Sequence, residues 1–185
     1  MTQICNVDGR IDLLRDRSAK FPPIEQREQV QCLRIWHCKY KTLQPIAELQ
    51  NLEELVIATF PDQTFQILAS LRKLRYLRVL HMPKITSLQG LAELTGLESL
   101  ALETSPSWDG KRWTTVDSLE PIAAIPNLKH LQLFGVCPPD RSLIALEKLK
   151  SLQSARFSQY PQAEIDRFYH ATGAANEYMP KSSFT

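Results

Sequence analysis

The stretch Leu71–Leu97, LRKLRYLRVLHMPKITSLQGLAELTGL, contains the pattern that decides the fold of this chain. Its first half has apolar residues at Leu74, Leu77 and Val79, a spacing that buries alternate side chains of a short strand. Its second half has an apolar residue at every third position: Ile85, Leu88, Leu91, Leu94 and Leu97. The stretch therefore predicts a short strand followed by a tight, turn-rich return, and Leu97 begins the pattern again.

The same unit recurs along most of the chain, at intervals of 22, 22, 23, 31 and 24 residues. Its first apolar position holds Val30, Leu52, Leu74, Leu97, Leu128 and Leu152. Its fourth position holds Leu33, Leu55, Leu77, Leu100, Leu131 and Ala155, and its sixth holds Ile35, Ile57, Val79, Leu102, Leu133 and Phe157. A hydrophobic pattern that repeats at a nearly constant period predicts strands that lie side by side, one coil after another.

The return halves have a strict apolar period of three, as in Leu143, Leu146, Leu149 and Leu152. Such a period drifts by about 60° per step around an α-helix, but it stays on one face of a 3₁₀ helix. We therefore expect short 3₁₀ or irregular helical turns on the outer side of the coils, with α-helical turns as the alternative in the last repeats.

The two halves, L-x-x-L-x-L and L-x-x-L-x-x-L, resemble the leucine-rich repeat family, and in particular its short bacterial solenoids. The resemblance covers residues 30 to about 157, and segments such as SPSWD and FSQYP also resemble small bacterial leucine-rich repeat proteins of unassigned activity. It implies an α/β fold: a right-handed solenoid of about six coils, with a parallel β-sheet on the concave face and 3₁₀ or short helices on the convex face.

The ninth position of the unit departs from the pattern of this family, which usually has Asn there to satisfy backbone groups of the neighbouring coil. In this chain the column contains Cys38, Phe60, Met82, Ser105, Val136 and Tyr160. We therefore expect apolar side chains to pack this corner, with its backbone groups satisfied in another way.

Residues 1–29 are expected to cap the first coil of a single domain that spans residues 1–185. Asp8-Gly9 is a hairpin turn signal between Gln3–Val7 and Arg10–Leu14. The sequence therefore predicts an N-terminal hairpin, followed by repeats over residues 30–157.

Residues 158–185 are expected to form a C-terminal cap. Pro161–His170 predicts a helix with Ile165, Phe168 and Tyr169 on one side and Gly173 as its stop. The tail, Ala174–Thr185, is polar, and we expect it to be held loosely.

Composition favours an ordinary soluble chain in the cytoplasm. The 185 residues are 43% hydrophobic and 23% charged, without an apolar run of signal-peptide or membrane-spanning length. The net charge of +2 offers no electrostatic reason to expect binding to nucleic acid or to an anionic membrane. The four cysteines lack a C-x-x-C pair, so we expect packed, reduced thiols and no zinc site.

The strand positions between the buried ones face the concave side, and two kinds of residue stand there. Glu53, Arg75, Glu98 and Lys129 alternate in sign at position two, which predicts a ladder of surface ion pairs. Aromatic, histidine and arginine residues at the other positions are types enriched in protein interfaces, although Trp36, Leu80 and Phe134 have edge-loop packing as an alternative. The candidate partner-binding residues are Arg34, Trp36, His37, Tyr76, Arg78, His81, Glu103, Trp108, Arg112, Trp113, His130, Gln132 and Phe134.

The fourth unit contains an insertion, Glu103–Val116, with two of the three tryptophans and a possible hairpin turn at Asp109-Gly110. A packed structural loop and a partner-contact loop both remain open. Catalytic motifs such as G-x-S-x-G, a Walker loop or H-E-x-x-H do not occur, so we expect no enzyme and no cofactor. The sequence favours a non-catalytic module that binds another protein, as an adaptor, inhibitor or immunity-type protein. The alternative is an enzyme or small-ligand-binding domain with a pocket between the 103–116 loop and the concave face.

Overall fold

The computed structural model of the chain describes residues 8–104 and 113–184. These residues form the strands β1 (Arg10–Leu14), β2 (Cys32–Trp36), β3 (Glu54–Ala58), β4 (Tyr76–Leu80), β5 (Ser99–Glu103), β6 (Thr114–Thr115), β7 (His130–Phe134), β8 (Val136–Cys137) and β9 (Ser154–Ser158). They also form the α-helices α1 (Glu120–Ala123) and α2 (Gln162–Thr172). Short 3₁₀ helices span Arg27–Gln29, Gln44–Glu48, Phe65–Leu68, Leu91–Glu93 and Ile144–Lys148.

Seven strands form one parallel sheet in the order β1-β2-β3-β4-β5-β7-β9. Their register is the one that the repeat predicts, because fourth-position residues pair from strand to strand, as Leu55 does with Leu77 and Leu77 with Leu100. The six strands expected from the repeat are therefore confirmed. A separate two-stranded parallel pair, β6 with β8, lies beside the C-terminal end of β7.

The core lies between this sheet and the outer returns. The side chains of the fourth column, from Leu33 to Ala155, are fully buried, and so are the period-three residues of the returns such as Leu68 and Leu91. The returns are mainly 3₁₀, as predicted, and the one that contains α1 is a single α-helical turn. Each coil therefore buries apolar side chains against the next coil, which supplies most of the stabilisation.

The first strand of the sheet precedes the predicted repeats. β1 pairs in parallel with β2, so that Ile11 lies beside Leu33 and Leu13 beside Ile35. The residue of β1 that corresponds to the first apolar position of the repeat is the charged Asp8. The segment that follows β1 also lacks apolar residues at every third position, so the apolar pattern of the repeat begins only at Val30. Arg10–Leu14 is thus a further coil of the sheet, whereas the other predicted hairpin strand, Gln3–Val7, lies outside the described residues.

Backbone bonds between coils replace an asparagine ladder at the corner after each strand. Position eight adopts a left-handed conformation in several coils, including Thr59 (φ 75°) and His81 (φ 62°). This conformation directs amides toward the neighbouring coil, where Thr59 N donates to Leu80 O (2.7 Å) and Phe60 N donates to His81 O (2.8 Å). The expected apolar packing of position nine is confirmed by the complete burial of Phe60, Met82 and Val136.

The C-terminal helix α2 forms as predicted and ends at Gly173, whose φ of 69° is the left-handed conformation that glycine adopts easily. The next two residues begin a further strand. Ala174 is buried 22 residues after Leu152, and Ala175 forms a parallel bridge with Ser154 of β9. In this register Asn176 would fall opposite Ala155 in the buried fourth column, where its amide side chain would lose its hydration. The chain leaves the sheet at this point.

Candidate functional site

The concave face consists of the side chains at positions three, five and seven of the seven strands. On β2 these are Cys32, Arg34 and Trp36, and on β7 they are His130, Gln132 and Phe134. Their alternation with the buried column places them on the side of the sheet away from the core. The tail crosses this face from β9 toward β1.

The first part of the tail contacts β9 and β7. Ala175 N donates to Gln153 O (2.8 Å) and Ala155 N donates to Ala175 O (2.9 Å), which ties the start of the tail to the sheet edge. Tyr178 then stacks on Arg156, whose Cζ lies 3.9 Å from the ring centroid, and meets Phe134 edge-on at 6.3 Å.

Met179 is held over the middle of the face. Its amide donates to Gln132 Oε1 (2.9 Å), and both residues are nearly inaccessible, at 7% and 5% exposure. A glutamine with that little exposure needs an internal partner for its side chain, and here the partner is the main chain of the tail.

The last part of the tail contacts β3, β2 and β1. Glu54 Oε1 accepts from Ser182 Oγ (2.6 Å) and from Ser183 N (2.9 Å). The Phe184 ring lies between two guanidinium groups, at 4.0 Å from Arg10 Cζ and 5.2 Å from Arg34 Cζ. Arg34 Nη1 also donates to Phe184 O (2.9 Å), so the tail is anchored at both ends of the sheet.

The expectation of a loosely held tail is therefore wrong. The tail is polar, but Met179, Ser182 and Phe184 are buried on the concave face. The sequence signal that marks the start of the tail is Gly173, the predicted stop of the preceding helix. The hydrogen-bond partners of its later residues lie up to 173 positions away in the chain, and no local pattern indicates them.

The structure places the strand residues of the predicted site on this face, and it joins three of them to the tail: Arg34, Gln132 and Phe134. Arg78 Nε instead pairs with Glu103 Oε1 at 2.8 Å, across neighbouring strands. Burial raises the pKa of Tyr76 to about 12, with Glu54 and Glu103 acting in the same direction and Arg78 against it. Tyr76 is therefore a neutral phenol at physiological pH.

His130 has a role in the sheet itself. Its Nδ1 lies 2.9 Å from Ser154 Oγ on the neighbouring strand. Burial, and to a lesser extent the nearby Lys129, lowers the pKa of His130, so the ring is neutral at pH 7. The residues that sequence reasoning missed on this face are those that meet the tail from outside the predicted set: Arg10, Glu54 and Arg156.

The predicted aromatic and histidine residues at the strand ends lie at the corner of the coils. Trp36 contacts His37 edge-on, with ring centroids 5.4 Å apart, and Arg34 Cζ lies 5.9 Å from the Trp36 ring. His37 and His81 both have positive φ, of 53° and 62°, and so serve first as corner residues of the backbone.

The insertion is closed at its base. Thr104 Oγ1 lies 2.8 Å from Thr114 Oγ1 and donates to Gly135 O at 2.7 Å, which fixes both ends of the insertion beside β7. Trp113 is 40% exposed, and Arg141 Cζ lies 4.6 Å from its ring centroid. The predicted site residues Trp108 and Arg112, and the predicted turn at Asp109-Gly110, lie outside the described residues.

Two solved structures share this architecture at low sequence identity. The internalin inlF of Listeria monocytogenes matches with a TM-score of 0.56 and 22% identity, over 80% of this chain and 47% of its own. Internalin C2 of the same organism matches with a TM-score of 0.52 and 22% identity, over 71% of this chain and 53% of its own. The chain has a leucine-rich repeat fold. It spans about half the length of these internalins, and no protein-family model and no curated protein matches it.

Three of the four residues of the predicted ion-pair ladder, Arg75, Glu98 and Lys129, are paired at the edge of the leucine-rich repeat sheet where its strands begin. Glu98 is central, with Oε1 at 2.8 Å from Arg75 Nη2 and Oε2 at 3.1 Å from Lys129 Nζ. Hydrogen bonding with Lys129, and then with Arg75, lowers the pKa of Glu98. The ladder borders a shallow cleft of about 490 Å³, where charges of both signs face solvent.

The described leucine-rich repeat residues offer neither a metal site nor a membrane-spanning helix. Residues 8–104 and 113–184 contain no group of three or more His, Cys, Asp or Glu that would hold a metal ion. Within the same ranges, no helix has the length and apolarity needed to cross a membrane. Cys32, Cys38 and Cys137 are free thiols. The alternative pocket beside the 103–116 loop would have one wall outside the described part of the chain.

Proposed function

We propose that this leucine-rich repeat solenoid is a non-catalytic module that binds another protein, in an adaptor, inhibitor or immunity-type role. Its contact surface is the concave face together with the rim formed by Trp113, Phe134 and Tyr178, which we call the aromatic rim. The sheet and its coils are rigid, so that the solenoid itself loses little ordering entropy on binding.

The observation that supports the proposal is the composition of the aromatic rim. Trp113 and Tyr178 are 40% and 64% exposed, and each ring has an arginine stacked on it, Arg141 and Arg156 respectively. Both rings lie close to the end of β7, because Thr114 N donates to Gly135 O and Tyr178 meets Phe134. Exposed tryptophan, tyrosine and arginine in one place are the residue types that dominate binding energy at protein interfaces.

The test compares two exposed apolar residues on opposite sides of the solenoid. Trp113→Ala removes a ring from the aromatic rim, whereas Ile144→Ala truncates a 60% exposed side chain on an outer 3₁₀ helix. Both variants and the wild type serve as baits for proteins of the source cell, with quantitative mass spectrometry as the readout.

A hot-spot tryptophan contributes on the order of 2 kcal/mol or more, which corresponds to a loss of at least about tenfold. We expect one protein to be depleted by that factor on the Trp113→Ala bait and retained on the Ile144→Ala bait. Equal recovery of every captured protein on all three baits contradicts the proposal. A thermal-shift screen addresses the ligand-binding alternative, which predicts stabilisation by a small molecule.

A further inference from the structure

The contacts between the tail and the concave face are of the kind used to hold an extended peptide. Two tail amides, of Met179 and Ser183, donate to the side chains of Gln132 and Glu54. Two tail carbonyls, of Ser183 and Phe184, accept from the guanidinium groups of Arg10 and Arg34. The face therefore provides acceptors for main-chain amides of the tail and donors for its main-chain carbonyls. Any extended segment has amides and carbonyls of the same kind.

Three side chains of the tail add selectivity. Met179, Ser182 and Phe184 are the buried residues beyond Ala174, and they are separated by three and two positions. The Ser182 hydroxyl is bound by the Glu54 carboxylate, and the Phe184 ring lies between two guanidinium groups. The pattern that this surface fits is a long apolar residue, a hydroxyl residue three positions later and an aromatic residue two positions after that.

The tail crosses the sheet within a few residues and ends in a turn at Ser183 and Phe184. Met179 contacts β7 and Phe184 contacts β2 and β1, and neighbouring parallel strands lie about 4.8 Å apart. Because an extended chain advances at most about 3.6 Å per residue, the five steps between these residues leave no slack for a helix.

The tail is also held differently from the coils. Beyond Ala175, residues 176–182 lie in neither helix nor strand, and Tyr178, Pro180 and Lys181 are exposed. The contacts of the tail are individual hydrogen bonds and ring contacts that do not repeat, whereas the coils bury continuous apolar columns. Segments with few buried apolar contacts open at lower free energy than the core does.

We propose that the tail is an internal competitor, which occupies in cis the groove that accepts an extended segment of another protein with the same pattern. This proposal rests on the proposed function, because it identifies what the concave face recognises and what must leave before binding. The partner segment displaces Met179–Phe184 and takes over the hydrogen bonds of Gln132, Glu54, Arg10 and Arg34.

The test uses the full chain and a labelled synthetic peptide with the sequence of residues 174–185, AANEYMPKSSFT, followed by fluorescence anisotropy. In the wild type the attached tail competes at an effective concentration in the millimolar range, so the peptide binds weakly. Phe184→Ala in the chain removes the ring between two arginines and weakens the attached tail. We expect the peptide to bind this variant at least about tenfold more tightly than it binds the wild type.

Two controls distinguish groove binding from a general loosening of the protein. Lys181→Ala changes an exposed residue of the same tail and leaves peptide affinity within about twofold of the wild type. A peptide with alanine in place of its phenylalanine binds the Phe184→Ala chain at least about tenfold more weakly than the native peptide does. Circular dichroism verifies that each variant is folded, and Ser182→Ala, which removes only a hydroxyl, is the milder second variant.

The proposal is overturned if neither Phe184→Ala nor Ser182→Ala increases peptide affinity, because the tail is then a permanent part of the fold. It is also overturned if the wild type forms dimers by exchange of tails, detected by light scattering and abolished by Phe184→Ala, since the occupant is then a second copy. These outcomes are independent of Trp113, so failure of the proposed function and failure of this inference are distinguishable.

Discussion

The interior of the repeat and the C-terminal segment, residues 161–184, are stabilised in opposite ways. In the interior, the same columns of buried apolar residues recur in every coil. Leu77, for example, lies between Leu55 and Leu100, which are its equivalents on the two neighbouring strands. In the C-terminal segment each contact occurs once, such as Ser182 with Glu54, at a separation of 128 residues. The repeated apolar columns thus determine the solenoid, whereas individual long-range contacts determine how the tail covers the concave face.

The largest expected effect comes from breaking an interior column. Leu131→Arg places a charge at a position with no exposure, between Leu100 and Ala155 in the sheet. Burial of an unpaired charge costs on the order of 5 kcal/mol, which lowers the Tm of a chain of this size by about 10 °C or more. Differential scanning calorimetry measures this shift, and a Tm within one or two degrees of the wild type would refute the column alignment.

The adjacent residue on the same strand provides the matched control. Gln132→Ala alters the concave side of β7 and removes the acceptor for Met179 N. Loss of one such hydrogen bond costs about 1 kcal/mol, so the Tm decreases by only a few degrees. If Gln132→Ala were as damaging as Leu131→Arg, the distinction between repeated and single contacts would not hold.

Two glycines with positive φ compare the interior with the C-terminal end more directly. A Cβ at Gly90 would lie 2.6 Å from the carbonyl carbon of Phe65 in the preceding coil, whereas a Cβ at Gly173 would have no atom within 4 Å. Gly173→Ala therefore adds only backbone strain, about 1 kcal/mol. Gly90→Ala adds a clash with main-chain atoms and costs about 3 kcal/mol, as measured by urea unfolding. An equal decrease in unfolding free energy for the two variants would show that neighbouring coils can move apart to accommodate the added methyl group at position 90.

Much of the interior was predictable, because a strand or a return is visible within about 22 residues of sequence. The pairing of Leu33 with Leu55, the 3₁₀ returns and the α2 stop at Gly173 all follow from local spacing. Arg10–Leu14 was predicted as a hairpin strand and not as a coil of the parallel sheet, because Asp8 interrupts the first apolar column of the repeat. The corner bonds of Thr59 and Phe60 required a left-handed backbone at residues other than glycine, which sequence patterns do not reveal.

The concave face was predictable only in its composition. The period of two in the strands predicts that Arg34, Tyr76 and Gln132 share one face, and they do. That Gln132 binds a main-chain amide 47 positions later depends on the path of the tail, and neither residue has a local signal for it. Three of the predicted binding residues, Arg34, Gln132 and Phe134, thus contact the tail of the same chain instead of facing open solvent.

The smallest expected effect concerns a single ion pair of the C-terminal segment. Glu164 is bound by Arg167 and accepts from Leu143 N at 2.6 Å, and the Arg167 hydrogen bonds are the main cause that lowers its pKa from 4.5 to about 2. A carboxyl group with a lowered pKa stabilises the fold above pH 4.5, and this contribution is lost as the pH falls toward 2.

We expect Glu164→Gln to reduce the unfolding free energy at pH 7 by about 1 kcal/mol, because solvent screens a partly exposed pair, and to flatten the decrease between pH 4.5 and 2. Urea unfolding at several pH values measures both effects. Glu120→Gln is the matched control, since its exposed bond with Lys148 on the outer surface contributes at most a few tenths of a kcal/mol. A decrease as steep in Glu164→Gln as in the wild type would mean that other carboxylates hold the C-terminal segment against acid. The description of that segment as stabilised by contacts that each occur once would then be wrong for Glu164.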